Sequence, residues 1–339
     1  MYKYPNINIL LFLFCISTPT SALSSLFSNT SSTMSNHKET VDANLAIFNS
    51  EFAIKYDNKE SQQTLALLFA KFLLEYDFKN PTTRKTLEET EKPLGDPTKP
   101  LNGFTRENIL PDPETYLQKY PDTIFKPGMK LLDFACGTGM VTELFAPYVK
   151  GGELIGMDIS SVWLERFNER SKQFSDPIMK SFVYDVLDES KQEELKQFEG
   201  EFDGIICTIA YHHIFNYEQV TKKLATFLKP KGWLFIVDFY NEDVEKPGVN
   251  VSKAVQHMGG LKVDKLNHTL SDIAGLSNVS SAREFKTWIW QPESFISTHL
   301  NQATIDKLNN GELQKRTVAD GDVEYLVESS LIYAVGQRV

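Results

Sequence analysis

KLLDFACGTG, residues 130–139, is the stretch from which the rest of the chain is best read. Leu131, Leu132 and Phe134 make a short apolar run around the acid Asp133, and the turn Ala135-Cys136-Gly137-Thr138-Gly139 follows at once. Helix-spaced apolar residues come next. A buried strand, a tight glycine-bearing loop and a helix N-terminus, in that order, form the place where α/β proteins hold nucleotide-like ligands. Glycines also make plain turns, so the flanking sequence carries the interpretation.

Downstream the pattern alternates. A strand over 129–134 leads to a helix over 139–149, where Val141, Leu144, Phe145 and Val149 are spaced for one face. A strand at 153–158 precedes a helix at 161–172 that Ser160 or Ser161 can cap. A strand at 181–184, an acidic helix near 189–198, a strand at 203–209, a helix at 217–228 and a strand at 233–238 complete the series. Five short apolar strands separated by helices predict an α/β fold with a parallel, doubly wound sheet covered on both faces. After Tyr240 come a polar insertion at 241–262, short helices at 269–276 and 303–309, and strand-like runs at 284–291 and 329–338. The two late strands are expected to pair as a hairpin and add an antiparallel edge.

Upstream, Val41, Leu45, Phe48 and Phe52 recur at helical spacing, and after a break at Asp57-Asn58 a second helix carries Leu65, Leu68, Phe69, Phe72 and Leu73 on one face. Residues 80–128 are polar and proline-rich, a connecting arm with one helix around Pro113 to Tyr120. Lys3, the apolar run Ile7 to Ile16 and the small residues Thr20-Ser21-Ala22 have the layout of a secretory signal. Met34 opens a polar start, so 1–33 reads either as a leader or as an upstream extension. The first choice places the protein in the secretory pathway or on a membrane, the second in the cytoplasm. The apolar run is too short for a stable membrane span.

Composition narrows the function. The 339 residues carry a net charge of -10, which argues against a nucleic-acid partner, since phosphate neutralisation needs basic faces. Cys15, Cys136 and Cys207 are too scattered for a disulfide framework or a zinc site, and no metal site is expected. Three acids stand at successive strand ends: Asp133, Asp158 and, just after the third strand, Asp185. In such sheets the ligand crevice lies at the carboxyl ends of the strands. A carboxylate at the second strand's end can accept two hydrogen bonds from a ribose diol, and one after the third can meet the exocyclic amine of adenine.

These segments resemble the class I S-adenosylmethionine-dependent methyltransferases. The family's first motif stands here as Asp133-Phe134-Ala135-Cys136-Gly137-Thr138-Gly139, with Ala135 in place of the usual first glycine. Asp158 with Ile159 matches the second-strand acid, and Asp185 with Val186 the adenine contact. FDGIICTIAYHHI (202–214) and LKPKGWLFIVD (228–238) are similar to the family's fourth and fifth strands. Tyr56-Asp57 resembles a pair found on an N-terminal lid in small-molecule members similar to quinone-biosynthesis methyltransferases. The resemblance implies a Rossmann-like seven-stranded sheet, mostly parallel with an antiparallel C-terminal strand, plus an N-terminal helical lid. It implies residues 34–128 as helices and arm, 129–339 as the S-adenosylmethionine-binding methyltransferase domain, and S-adenosyl-L-methionine as cofactor.

Two other readings compete. An NAD(P)-dependent oxidoreductase shares Gly137-x-Gly139 followed by Asp158 about twenty residues on. Against it, Thr142 stands at the third glycine position, and the charge of Asp133 would repel a pyrophosphate but suit a sulfonium carrying an ammonium group. A non-catalytic cofactor-binding member of the fold is the second, hinted at by Ala135. For catalysis, His212 and His213 are the candidate bases, just past the fourth strand. In an extended segment they would point opposite ways, so one at most would face the acceptor. A structural role in tying loops together weighs equally, and Asp238 reads either as a crevice residue or as a cap. Trp288, Trp290, Phe239 and Tyr240 line an apolar acceptor pocket or belong to the core. Ala210-Tyr211-His212-His213 replaces the Asn/Asp-Pro-Pro-Tyr segment of adenine and glutamine amino-methylation, so a small-molecule acceptor is expected.

Overall fold

A computed structural model describes residues 29–81, 93–94, 105–240, 253–257, 260–318 and 321–339. The signal-like segment up to residue 28, Cys15 included, lies outside the described residues, as does most of the polar insertion. Among the described residues the sheet has nine strands, seven of them longer: β1 (Lys130–Phe134), β2 (Glu153–Asp158), β3 (Ile178–Val183), β4 (Phe202–Thr208), β5 (Leu228–Phe239), β6 (Ser277–Pro292) and β7 (Val323–Gln337). Their spatial order is β6-β7-β5-β4-β1-β2-β3. Strands β1 to β5 run parallel, and β7 runs antiparallel to both β5 and β6. Pro93–Leu94 pairs with β6 and Lys315–Thr317 with β7.

The central strands are buried on both faces, which is why they read as continuous apolar runs instead of alternating ones. On one face, helix α3 (Glu60–Leu74) buries Leu65, Phe69 and Leu73 against Phe235, Tyr333 and Leu131. On the other, helix α5 (Tyr217–Phe227) buries Val220, Leu224 and Phe227 with Leu132, Ile205 and Ile236. Helix α4 (Ser161–Ser171) packs on β2 and β3, its N-terminus capped by Ser160, whose Oγ accepts from Trp163 N. Helices α1 (Asn29–Ile47) and α2 (Ser50–Asn58) lie over the carboxyl ends of the strands. Helix α1 runs across the expected boundary between residues 33 and 34.

Two local expectations are corrected. No α-helix spans 139–149; a single 3-10 turn, Thr142–Phe145, takes its place. The apolar spacing is real, but Pro147 has no N–H to donate and its ring would clash with the carbonyl of Glu143. The two late strands pair antiparallel, as expected, and add an antiparallel edge to the parallel sheet, with β7 seated between β5 and β6. Leu331 to Gln337 pair with β5, while Glu324 to Ser330 pair with β6 beyond the end of β5. The arm is also less loose than its prolines suggest. Tyr116, in the turn Tyr116–Lys119, donates its hydroxyl to Leu74 O at 2.7 Å and lies in the core with Phe125. Among the described residues no helix is long and apolar enough to cross a membrane.

Candidate active site

The opening motif builds one wall of a crevice at the carboxyl ends of β1 and β2. Asp133 is 3% exposed. Its Oδ2 accepts from Thr142 Oγ1 at 2.5 Å, while its Oδ1 is buried with no hydrogen-bond partner. Burial pushes this carboxyl up to about 7, opposed by the Thr142 hydrogen bond and reinforced by the charge of Asp158. An orphaned buried acceptor is costly and calls for a donor from outside the chain. The loop that follows turns through left-handed backbone at Ala135 (φ 56°), Gly137 (φ 56°) and Gly139 (φ 79°). A Cβ on Gly139 would lie 2.5 Å from the Phe167 ring, so the loop is pressed onto α4. Cys136, half-buried, fills space against Gly156.

Asp158 braces that loop. Its Oδ2 accepts from Gly137 N at 2.9 Å and its Oδ1 from Ser160 N at 2.8 Å. Burial raises its pKa and these backbone bonds oppose the shift. Ile159 beside it is half-buried, and Val186 is packed in the core near the end of β3. Asp185 accepts from Leu187 N at 2.9 Å through Oδ1, and its Oδ2 lies 2.8 Å from His37 Nε2 on α1.

The N-terminal helices close over these groups. Asp57, 6% exposed, accepts from Thr138 Oγ1 of the glycine loop at 2.6 Å. It also pairs with Arg166 Nη2 and Arg170 Nη2 of α4, each at 2.9 Å. Tyr56 stands 5.1 Å from Trp163, ring to ring, within a cluster that includes Phe48 and Phe52. Burial, then Asp57 and Asp133, push the Tyr56 hydroxyl up to about 12, so it stays protonated. Ser160 Oγ donates to Phe48 O at 3.3 Å, a further tie between the α1–α2 junction and the loop after β2.

The second wall comes from β4 and β5. Ile209 follows β4 at φ 52°, a rare conformation for a β-branched residue, with its N–H held by Val237 O at 2.8 Å. The segment beyond is a 3-10 turn, Tyr211–His213, not an extended one. The two imidazoles therefore lie side by side, 4.1 Å between centroids, instead of pointing apart. His212 is 5% exposed, and its Nδ1 lies 2.7 Å from Asp238 Oδ1. Asp238, fully buried, also accepts from the backbone N–H groups of His212 and Phe239. Its carboxylate therefore caps the backbone of the turn after β4 as well as holding the His212 ring. His213 donates Nδ1–H to Ala254 O at 2.7 Å and sets its ring edge against Phe48.

Of the aromatics, Phe239 stacks edge-on with His212 and Phe295 at the crevice. Trp290 is buried under the Arg316 guanidinium, 4.8 Å away, and Tyr240 meets Arg283 at 5.1 Å. Trp288 buries an indole N–H that has no hydrogen-bond partner. Sequence reading missed Thr142, His37, Asn44 and the arginine pair. Arg166 and Arg170, four apart on a helix directly after the acid of β2, were the available signal.

The chemistry of these carboxylate acceptors fits a cationic adenosyl ligand. Asp133 Oδ1 matches an ammonium, and Asp158 and Asp185 stand where a ribose diol and an adenine amine are expected. A pyrophosphate has no regular helix N-terminus to rest on, because a four-residue 3-10 turn follows the loop. The charge of Asp133 is a weaker discriminator than expected, since burial holds the carboxyl near neutrality.

Comparison with known proteins agrees. A family model described as a methyltransferase domain matches residues 106–309, more than half of the chain. An uncharacterized methyltransferase of Schizosaccharomyces pombe is 28% identical over 286 residues, covering 80% of this chain and 93% of that protein. A ubiquinone biosynthesis O-methyltransferase of Chromobacterium violaceum is 28% identical over 108 residues, 32% of this chain and 43% of that one. Among solved structures, the YcgJ protein of Bacillus subtilis aligns with a TM-score of 0.43 at 17% identity, covering 63% of this chain and 93% of that one. The chain belongs to the methyltransferase domain family and is a class I S-adenosylmethionine-dependent methyltransferase.

Proposed function

We propose that the enzyme methylates a hydroxyl oxygen of a small apolar acceptor, with His212 as general base. The observation that carries this reading is the buried His212–Asp238 pair at the ends of β4 and β5. S-adenosylmethionine, when bound, supplies a methyl group already activated by its sulfonium, so the protein's task is alignment, water exclusion and proton removal. Asp133 Oδ1 holds the ammonium, Asp158 the ribose diol and Asp185 the adenine edge. Ala135, Gly137 and Gly139 supply the close backbone, and Ile159 and Val186 the apolar flank. Tyr56, with Trp163, covers this half of the site from α2.

Asp238 keeps the proton on His212 Nδ1, which makes Nε2 the basic nitrogen. As a hydroxyl oxygen attacks, Nε2 takes its proton, and the buried carboxylate stabilises the imidazolium that forms. His213, its Nδ1 committed to Ala254 O, shapes the wall beside it. An amine acceptor needs no such base. The relatives named as ubiquinone biosynthesis O-methyltransferases support oxygen as the target atom.

The test is transfer from isotope-labelled methyl donor to matched panels of hydroxylated aromatics and their amine counterparts, read by mass spectrometry. Oxygen methylation is expected, and His212→Ala should lower kcat by about 10²–10⁴-fold, with affinity for S-adenosylhomocysteine retained. Exclusive amine methylation, or an unimpaired His212→Ala enzyme, would refute the assignment.

A further inference from the structure

Helix α1 is amphipathic in the opposite sense to an ordinary surface helix. Its inward face carries Thr40 and Asn44, both 4% exposed, and the largely buried His37, whereas Leu45 and Ile47 are 40% and 45% exposed. His37, Thr40 and Asn44 follow helical spacing, so the chain has set a polar stripe across the crevice. The stripe runs from Asp185, past the end of β3, to the turn after β4, where Asn44 Nδ2 donates to His213 O at 3.4 Å. Two acceptor positions on it are buried without hydrogen-bond partners: His37 Nδ1 and Asn44 Oδ1. Each such orphan is costly unless a ligand satisfies it.

The stripe leads to the residue assigned to adenine. Asp185 uses Oδ1 for Leu187 N and Oδ2 for His37 Nε2. In the neutral imidazole with Nε2–H given to the carboxylate, His37 Nδ1 carries a lone pair and accepts. The donor that belongs beside Asp185 is the exocyclic amine of adenine.

We propose that His37 is a specificity-determining residue of the cofactor site, its Nδ1 accepting from the adenine 6-amino group while Asp185 fixes the ring and its tautomer. The inference rests on the assignment of Asp185 to the adenine end. In this arrangement the acid after β3 reads the base through a histidine of the N-terminal helix. Helix α1 is then part of the binding site and not only its cover.

The test is calorimetric, on the full chain, with two ligands: S-adenosylhomocysteine and S-inosylhomocysteine, which has an oxo group in place of the amine. His37→Ala should weaken the adenosyl ligand about 10-fold, the scale of one lost hydrogen bond, and leave the inosyl ligand within about two-fold. His37→Gln, which can donate to Asp185 and still present an acceptor, should recover most of the loss. Equal weakening of both ligands, no change, or tighter binding of the adenosyl ligand would overturn the proposal. Asp185→Ala separates the two assignments. If it leaves adenosyl affinity intact, the placement of adenine fails; if it weakens binding while His37→Ala does not, only the role of His37 fails.

Discussion

Replacing Asp57 by alanine should undock α2 from the glycine loop and weaken ligand binding. The carboxylate, buried between α2 and α4, accepts from Thr138 Oγ1, from Arg166 through Nε at 3.0 Å and Nη2 at 2.9 Å, and from Arg170 Nη2 at 2.9 Å. Removing one partner of a buried ion pair costs about 3–5 kcal/mol, because the opposite charge stays behind without compensation. Two features reduce that figure here. The Arg166 side chain is 42% exposed and is screened by water, and Arg170 keeps Glu143 at 3.0 Å. A loss of about 2–3 kcal/mol in helix docking remains, a shift of roughly 30- to 150-fold in the docked-to-undocked ratio. Amide hydrogen exchange read by mass spectrometry should report this as faster exchange confined to α1 and α2. Exchange in α3 and the sheet should hold, because α3 is buried in the core by Leu65, Phe69 and Leu73. Affinity for S-adenosylhomocysteine should fall alongside. Unchanged exchange over 50–58 would refute the latch. A uniform rise across the whole chain would show global destabilisation in place of undocking.

Asp133 predicts a pH dependence of both stability and binding. Its folded pKa, about 7, lies above the ordinary carboxylate value, so the unliganded fold retains a proton there that the unfolded chain loses. The associated stability is complete below the unfolded pKa and is lost as pH rises towards 7. Denaturation midpoints of wild type and Asp133→Asn should therefore converge in acid and diverge by pH 8, with the wild type the more pH-sensitive of the two. A ligand ammonium favours the ionised carboxyl, so affinity for S-adenosylhomocysteine should rise through pH 7 with proton release, seen by calorimetry in buffers of different ionisation enthalpy. Parallel pH profiles for the two proteins would sink this account. Ala135→Gly should stabilise the fold by about 0.5–1 kcal/mol, since left-handed backbone costs roughly 1–2 kcal/mol outside glycine and added unfolded-state freedom offsets part of the gain. A urea midpoint that fails to rise would mean that packing of the Ala135 methyl outweighs the strain.

Local signals carried most of the fold. The five parallel strands appear within a few residues of where apolar runs place them; four of them do so because a strand buried in the sheet must be apolar, whereas β3 is an edge strand with Ile178 and Val183 exposed. The acids at the strand ends were legible for a related reason: a polar group at the end of such a run marks the edge of the sheet, where ligands bind. Apolar spacing over 139–149 misled because it does not register a single proline. Pro147 removes a backbone donor and clashes one turn back, so only Thr142–Phe145 winds up. The histidines misled through an assumption of extended chain, and the turn Tyr211–His213 brings together two rings expected to diverge. The insertion of β7 beside β5 left no mark in either strand's own composition.

KLLDFACGTG established an α/β sheet, a ligand loop and an acid beside it, through the short-range physics of apolar burial and glycine backbone freedom. The tertiary structure settled which groups meet. Asp57 reaches Thr138 across 81 residues of sequence, and His37 reaches Asp185 across 148. Asp238 finds His212 because neighbouring parallel strands end side by side. Such pairings depend on how helices and strands pack in three dimensions, and side-chain chemistry at one position carries no record of a partner that far away. For that reason the ligand loop could be read from a ten-residue motif, and a helical lid and a pair of histidines could be expected, while the orphaned acceptors of α1 and the buried His212–Asp238 pair emerged only when the chain was folded.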